Sequence, residues 1–185
     1  MRARLASANE HKLAELRAAL PGWELALLDR ADFPPETGAT FLENARAKAR
    51  FGRLHAPADE WALGEDSGIE AAVLGGRPGI ESARWAEDGV ARLLSELEGA
   101  TERGARYVCA LVAIAPDGRE LAVEGVLEGA VAHDPRGSEG FGYDPIFVPL
   151  GEQRTVAELG DEWKRSHSHR ARAAAALQSA LSGSG

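Results

Sequence analysis

The sequence comprises 185 residues, 44% of them hydrophobic, with a formal net charge of −8. That length suits a single domain with its own core, and we expect one domain over residues 1–181, built as two lobes. The acidic balance argues against a protein that binds a nucleic-acid backbone, which needs a broad basic face. A lone cysteine excludes a disulfide framework within the chain. Because no signal peptide opens the sequence and no apolar stretch could span a bilayer, we expect a soluble, cytoplasmic protein.

The first half of the chain alternates strand and helix patterns. Asn9 is typical of a helix N-cap, leucines follow it at helical spacing, and Pro21-Gly22 ends the pattern. Thr40 and Glu43 form an S/T-x-x-E capping box that opens a second helix. We expect a turn around Asp66-Ser67-Gly68 that joins two strands. The predicted elements are strand 2–6, helix 10–20, strand 23–28, helix 41–55 and a strand-turn-strand over 61–73.

A hairpin, two helices and a further capping box are predicted in the second half. Pro116-Asp117-Gly118 is a hairpin signal between two strand patterns. Thr155 and Glu158 form a second capping box. The predicted elements are loop 75–79, helix 87–97, strands 106–115 and 119–132, a glycine-rich loop 133–142, an alanine-rich helix 168–181 and a flexible tail 182–185. This order favours an α/β fold, with a mixed twisted sheet and flanking helices.

Lysine is scarce in this chain and concentrated in motif-like stretches. Of the 21 basic residues only Lys12, Lys48 and Lys164 are lysines; the others are arginines. A lysine ammonium is a compact point charge, whereas arginine presents a planar fork, so the pattern favours ammonium donors placed around an anion such as a polyphosphate. The alternative is that an arginine-rich composition leaves a few lysines by chance. Of the three, Lys48, in the middle of a predicted helix, is the one for which we would most expect an ordinary solvated side chain.

Two predicted helices begin with cations, against the usual charge placement. Lys12 lies in the first turn of the first helix, and His169, Arg170 and Arg172 lie in the first turn of the last. The helix macrodipole disfavours cations there by a few tenths to about 1 kcal/mol. A bound anion would remove the conflict, because backbone N–H groups and cations would converge on it. The alternative is that these side chains point into solvent.

Three carboxylates are candidates for binding a metal ion at a phosphate site. Glu65 and Asp66 stand beside Ser67, a composition suited to Mg²⁺ and phosphate oxygens. Glu43 is another candidate metal ligand, with a helix-capping role as the alternative. Mg²⁺ takes one or two carboxylates together with substrate phosphates and water. A few acids opposite three lysines therefore favour a nucleoside-triphosphate site.

The segment Gly140-Phe141-Gly142-Tyr143-Asp144-Pro145 predicts a place for a flat ligand. Glycines on either side of Phe141 allow close backbone approach, and its ring offers a stacking face for a base. A tight turn with two core aromatics is the alternative. No Gly-x-x-x-x-Gly-Lys-Ser/Thr loop occurs, so a P-loop nucleotidase is excluded. Cys109 lies in an apolar run and is expected to be a buried, inert thiol.

Read together, six ordered motifs resemble one family, the inosine/xanthosine triphosphate pyrophosphatases, also called the Ham1-like family. The resemblance spans nearly the whole chain. Its motifs are Ser7-Ala8-Asn9 with Lys12 and Glu15, Thr40 to Ala45 with Lys48, Glu65 to Gly68, Gly79 to Arg84, Gly140 to Phe147, and Ser168-His169-Arg170. Two departures are mild: Glu65 stands where Asp is common, and Ala8 where Gly is often found.

The resemblance implies an activity and an assembly. It implies hydrolysis of dITP, ITP and XTP to the monophosphate and pyrophosphate, with Mg²⁺ as cofactor, which would cleanse the nucleotide pool of deaminated purines. It also implies a homodimer and an elongated, two-lobed catalytic domain with a central cleft. The implied chemistry is attack of water on the α-phosphorus.

Roles for individual residues follow from the same resemblance. Asp66 would be the proton acceptor and a Mg²⁺ ligand, with Glu43 and, less directly, Glu65 as further candidate ligands. Ser67 would contact the substrate. The phosphate-binding turn and the triphosphate lysines would be Ser7, Ala8, Asn9, Glu10, His11, Lys12, Lys48 and Lys164. The base and sugar would meet Phe141, Gly142, Tyr143 and Asp144, with His169 and Arg170 near the purine 6-oxygen.

Other classes of protein share parts of this pattern. A Maf-like pyrophosphatase acting on other modified or pyrimidine nucleotides has a similar architecture. Asp66-Ser67-Gly68 is also the tripeptide of aspartic proteases, but three lysines have no role there. A nucleotide-binding module without catalysis would have no use for Asp66 with Glu43.

Overall fold

The fold is taken from a computed structural model that describes residues 1–183. Of the predicted tail, Ser182 is the last residue of the final helix, whereas Ser184 and Gly185 lie outside the described residues. Among the described residues, no helix combines the length and the apolar character that crossing a bilayer requires.

Six strands and five α-helices are described in residues 1–183. They are β1 (Arg2–Leu5), α1 (Glu10–Ala19), β2 (Glu24–Leu27), α2 (Phe41–His55), β3 (Trp61–Ala71), α3 (Gly89–Glu96), β4 (Gly104–Ile114), β5 (Glu120–Val131), β6 (Phe147–Pro149), α4 (Val156–His167) and α5 (His169–Ser182). Two short 3-10 helices, Ala72–Leu74 and Gly79–Glu81, follow β3.

The six strands form one sheet in the order β2-β1-β3-β4-β5-β6. β1 runs parallel to both β2 and β3, with Ala3 opposite Leu25 on one side and Trp61 on the other. β5 and β6 are antiparallel. The predicted mixed α/β architecture is therefore confirmed.

The chain forms two compact units. The first consists of Met1–Asp66, Cys109–Gly125 and residues 170–183. Its core is formed by leucines of α1 and by apolar residues of the strands and α5: Ala3, Leu5, Leu13, Leu16, Leu20, Trp23, Leu25, Leu63, Cys109, Leu111, Ala113, Ala173, Ala174 and Leu177. Burial of this apolar surface is the main stabilising term of the unit.

The second unit consists of Ser67–Val108 and Val126–His169. Its core contains more aromatic rings: Ile69, Ala71, Leu93, Leu97, Ala105, Tyr107, Leu127, Val131, Tyr143, Ile146, Phe147 and Val156. The chain crosses from one unit to the other at residues 66/67, 108/109, 125/126 and 169/170. The central cleft expected from the family resemblance stays a prediction.

The turn predicted at Asp66-Ser67-Gly68 is wrong, because β3 runs unbroken from Trp61 to Ala71. Gly68, which suggested the turn, serves close packing instead, as does Gly64 in the same strand. A Cβ on Gly64 would lie 2.1 Å from the Ala45 carbonyl oxygen in α2, and one on Gly68 would lie 2.3 Å from Ser82 Oγ. A missing side chain lets a helix backbone approach a strand, so a strand glycine need not mark a bend.

The helix caps agree with the local sequence patterns. Asn9 Oδ1 accepts a hydrogen bond from Lys12 N at 3.1 Å and opens α1. Thr155 and Glu158 form the complete reciprocal capping box at the start of α4. Thr40 caps α2, but the Glu43 carboxylate accepts from Ala39 N at 2.6 Å, one residue before the expected partner.

Candidate active site

The first candidate group lies in the first unit and centres on Asp66, in β3. Helix α2 supplies Asn44 and Lys48, which are one helical turn apart and face the strand. Asn44 Nδ2 donates to Asp66 Oδ2 at 3.0 Å, and Lys48 Nζ donates to Asp66 Oδ1 at 3.0 Å. Lys48 also forms an ion pair with Glu36. These four residues are the Asp66 group.

Burial and charge decide the protonation of the Asp66 group. Desolvation raises the pKa of Asp66. The Lys48 charge and the Asn44 hydrogen bond offset part of that rise, whereas the nearby Glu36 charge adds to it. Burial would lower the pKa of Lys48, but the charges of Asp66 and Glu36 outweigh it and the pKa is raised. Lys48 is only 8% exposed, so the expectation of an ordinary solvated side chain is wrong.

A second cluster in the first unit surrounds Glu65, whose side chain is fully buried. Lys12 Nζ lies 2.6 Å from Glu65 Oε2, and Arg170 Nε donates to Glu65 Oε1 at 3.0 Å. Arg170 also donates to Glu15 Oε2 at 2.9 Å. These four residues are the Glu65 group. Two cations from opposite ends of the sequence therefore meet on one carboxylate, which offsets the cost of burying it.

The Glu65 group shapes its neighbours. Desolvation lowers the pKa of Arg170, but Glu65 and Glu15 outweigh it, so the guanidinium remains charged. Cys109 Sγ lies 3.5 Å from Glu65 Oε1, and burial together with that charge raises the thiol pKa well above its usual value. The expectation of a buried Cys109 is confirmed, and a neutral thiol is a poor nucleophile.

The predicted phosphate-binding turn precedes α1. Asn9 N donates to Ser7 Oγ at 3.1 Å, and the Asn9 side chain caps the helix. Ala8, Glu10 and His11 are exposed at this end of the helix. The positive end of the helix dipole is suited to an anion here.

The second unit holds a third cluster around Asp144, whose side chain is buried. Lys164 Nζ donates to Asp144 Oδ2 at 2.8 Å, and the backbone N of Phe141 donates to the same oxygen at 2.9 Å. Tyr107 Oη donates to Asp144 Oδ1 at 3.1 Å. Lys164 Nζ also lies 4.7 Å from the centroid of the Phe141 ring. These four residues are the Asp144 group.

The remaining predicted base and sugar residues lie in the same unit. Tyr143 is buried, its hydroxyl donates to the Ser82 carbonyl oxygen at 2.9 Å, and burial raises its pKa. Gly142 has a positive φ of 63°, a conformation that disfavours a side chain. His169 is buried and stacks on Tyr107, with ring centroids 4.7 Å apart.

Other predicted residues are not members of the three groups defined above. Glu43 is exposed, and its carboxylate caps Ala39 N. Ser67 follows Asp66 directly and is the first residue of the second unit. Within residues 1–183, no three His, Cys, Asp or Glu side chains form a group that could hold a metal by themselves.

Four contributors were given no role from the sequence: Glu36 and Tyr107, which lie outside the family motifs, and Asn44 and Glu15, which lie within them. For Asn44 a signal was available, because it precedes Lys48 by four residues on a predicted helix and so shares its face. Glu36 follows Pro34-Pro35 in a loop, and loop positions carry no periodicity from which to predict a partner. Tyr107 looked like any aromatic core residue of a strand.

The fold and these clusters define a class: a mixed α/β protein with buried carboxylates held by lysine and arginine, an arrangement suited to charged phosphate ligands. The Ham1 family model matches residues 3–180. The chain belongs to the Ham1 family.

Similar proteins extend over almost the full chain. A protein of Gloeobacter violaceus named dITP/XTP pyrophosphatase is 45% identical over 184 residues, covering 96% of this chain and 93% of its own. One from Symbiobacterium thermophilum with the same name is 48% identical, covering 92% and 90%. The structure of the Staphylococcus aureus Ham1 protein has a TM-score of 0.86 at 34% identity and covers 100% of both chains. That of a Mycobacterium abscessus nucleoside-triphosphatase / dITP/XTP pyrophosphatase has a TM-score of 0.74 at 42% identity, covering 98% and 100%.

Proposed function

We propose that this chain is a nucleoside-triphosphate pyrophosphatase that hydrolyses dITP, ITP and XTP to the monophosphate and pyrophosphate. The observation that carries the proposal is the buried Asp66 carboxylate, held by Lys48 and Asn44. The names of the relatives from Gloeobacter violaceus and Symbiobacterium thermophilum support the substrate class. Removal of deaminated purines from the nucleotide pool, in the cytoplasm, is the role that we propose for it.

Asp66 would act as the proton acceptor for the attacking water. Burial raises its pKa, so the ionised carboxylate is a stronger base than an ordinary aspartate. Asn44 and Lys48 each donate to a different oxygen and fix the plane of the carboxylate. Attack of the oriented water on the α-phosphorus would release pyrophosphate.

The donors of the Asp66 group fit a magnesium ion. Asp66 Oδ2 accepts from Asn44 and Asp66 Oδ1 accepts from Lys48, and a carboxylate oxygen has two lone pairs, so capacity remains for a cation. Glu36 adds a second carboxylate on the same Lys48 ammonium. We propose Asp66 and Glu43 as the Mg²⁺ ligands, because the Glu43 carboxylate accepts one backbone N–H and so keeps lone pairs for a cation, whereas Glu65 is engaged by two cations. When bound, Mg²⁺ would neutralise charge on the phosphate oxygens.

The positive charge for the triphosphate would come from Lys12, Lys48 and Lys164, with the turn from Ser7 to His11. The Glu65 carboxylate holds Lys12 in place at 2.6 Å. Because preorganised cations need no reordering when charge develops on the leaving pyrophosphate, such anchoring favours catalysis. Ser67, adjacent to Asp66, would contact the substrate.

The base and sugar would meet the second unit. Phe141 would stack on the purine, and Gly142, Tyr143 and Asp144 would complete the binding segment. His169 and Arg170 would recognise the 6-oxygen. A donor placed for a 6-oxo group faces an amino group when adenine enters, and an unpaired buried donor costs about 1–3 kcal/mol.

One assay tests the proposal. Pyrophosphate release is measured from dITP, XTP, dGTP, dTTP and dUTP, with and without Mg²⁺. Selective, Mg²⁺-dependent turnover of dITP and XTP is the expected result. Preference for dTTP or dUTP would favour a Maf-like pyrophosphatase. Nucleotide binding without turnover would contradict the proposal that the chain is an enzyme. Light scattering on a sizing column checks the proposed homodimer.

A further inference from the structure

Tyr107 joins two sets of residues in the second unit. Its ring lies against Phe147 on one side, with centroids 4.4 Å apart, and stacks on His169 on the other, with centroids 4.7 Å apart and planes 18° from parallel. Phe147 is fully buried and His169 is 5% exposed. The tyrosine ring therefore fixes the plane of the histidine by packing.

The hydroxyl of the same side chain reaches the Asp144 group. It donates to Asp144 Oδ1 at 3.1 Å, while the other carboxylate oxygen accepts from Lys164 Nζ and from Phe141 N. Removing the hydroxyl would leave a buried carboxylate oxygen with one donor fewer. Hydrogen bonds to charged groups are among the stronger ones in proteins, so the geometry of Lys164 depends on it.

The geometry points to Tyr107 as a positioning residue that acts through both neighbours: its ring orients His169 for the base, and its hydroxyl orients Asp144 and Lys164 for the sugar and phosphates. This inference rests on the proposed function and names a residue that fixes its specificity. The ring packs on His169 and the hydroxyl bonds Asp144, so two variants, one without the hydroxyl and one without the ring, distinguish the two roles.

Tyr107→Phe keeps the ring stack and removes only the hydroxyl. Since sugar and phosphates are common to all substrates, kcat/KM should fall about tenfold for dITP and for dATP alike, with their ratio unchanged. Tyr107→Leu removes the ring from His169. In this variant the ratio of kcat/KM for dITP to kcat/KM for dATP should fall about tenfold relative to the unaltered chain and to Tyr107→Phe, because the histidine that meets the 6-oxygen is no longer oriented.

Arg106→Gln is the matched control. Arg106 precedes Tyr107 in β4, pairs with Glu70 on the surface and has an exposed side chain. Its substitution should leave both rates and their ratio within twofold. Circular dichroism and thermal unfolding give the folded fraction of each variant, because a role in core packing alone lowers that fraction without moving the substrate ratio.

Three outcomes would overturn the inference. Kinetics of Tyr107→Phe within twofold of the unaltered chain would remove the hydroxyl's role. An unchanged dITP to dATP ratio in folded Tyr107→Leu would remove the ring's role. In both cases the proposed function is still supported if the unaltered chain turns over dITP. The third outcome is that the unaltered chain does not turn over dITP, which would refute the proposed function and this inference together.

Discussion

Replacement of Gly64 by alanine should damage both stability and catalysis. The added Cβ would lie 2.1 Å from Ala45 O and 2.3 Å from Ala49 N, against an ordinary contact distance of at least 3.4 Å. Both atoms belong to the backbone of α2, so no side-chain rotation relieves the clash. The helix must move from the strand by about 1 Å, the scale of backbone shift that overpacking forces.

The size of the effect follows from two opposing terms. Overpacking costs about 1–3 kcal/mol, and a backbone clash belongs at the upper end. Loss of glycine freedom in the unfolded chain returns about 0.4–1 kcal/mol. We expect Gly64→Ala to lower the free energy of unfolding by about 2 kcal/mol, measured by urea denaturation.

Catalysis should suffer more than stability. The moving helix carries Asn44 and Lys48, each 3.0 Å from Asp66, and a displacement of about 1 Å takes both beyond hydrogen-bond distance. A misplacement of that size costs about a hundredfold in rate. The expected kcat for dITP in Gly64→Ala, corrected for the folded fraction, is lower by about that factor.

The matched control is Gly104→Ala. A Cβ at Gly104 would meet nothing within 4 Å, and its φ is not in the positive region. Its stability should stay within about 0.5 kcal/mol of the unaltered chain, with unchanged kinetics. If Gly64→Ala behaved like this control, the reasoning that close helix-strand approach positions Asp66 would be refuted.

Four further predictions concern charges and caps. In the metal-free chain, followed by NMR of the labelled Asp66 carboxyl, Glu36→Gln should lower the pKa of Asp66 and Lys48→Met should raise it, since the first removes a like charge and the second an opposite one; shifts of the same sign would contradict this. The pKa of Asp66 is raised in the folded chain but not in the unfolded chain. The contribution of Asp66 to the free energy of unfolding is therefore present at low pH, and it is lost as pH rises from the ordinary pKa of about 3.9 through the raised pKa of the folded chain. Asp66→Asn should therefore be at least as stable as the unaltered chain at neutral pH, in thermal unfolding, while turnover of dITP falls about a thousandfold; full turnover would remove Asp66 from the mechanism. Arg170→Met strips two buried carboxylates of their guanidinium and should cost about 3–5 kcal/mol in urea denaturation, a loss that a surface ion pair would not produce. Thr155→Ala should cost about 1 kcal/mol and Thr155→Ser much less, since only the hydroxyl caps α4; equal losses in the two would point to packing instead.

Local signals were sufficient for most of the elements and for the caps at Asn9 and Thr155. The Asn9 and Thr155 caps were predictable because a cap is satisfied within four residues along the chain. The turn predicted in β3 failed for the opposite reason. Gly64 and Gly68 are glycines because of α2 and Ser82, which approach them from 14 or more residues away in the sequence, as the contacts at Ala49 and Ser82 show.

The sequence by itself determined which residues could form a nucleotide site, since six ordered motifs and three lysines are properties of the chain. Only the tertiary structure decided which of these residues are buried and which charges they pair with. It buried Lys48 against Asp66, and it brought Lys12 to Glu65 and, from 105 residues away, Arg170 to the same carboxylate. A side chain's burial and electrostatic partners depend on contacts between distant segments, and these set its pKa and orientation. Local patterns contain no record of such contacts.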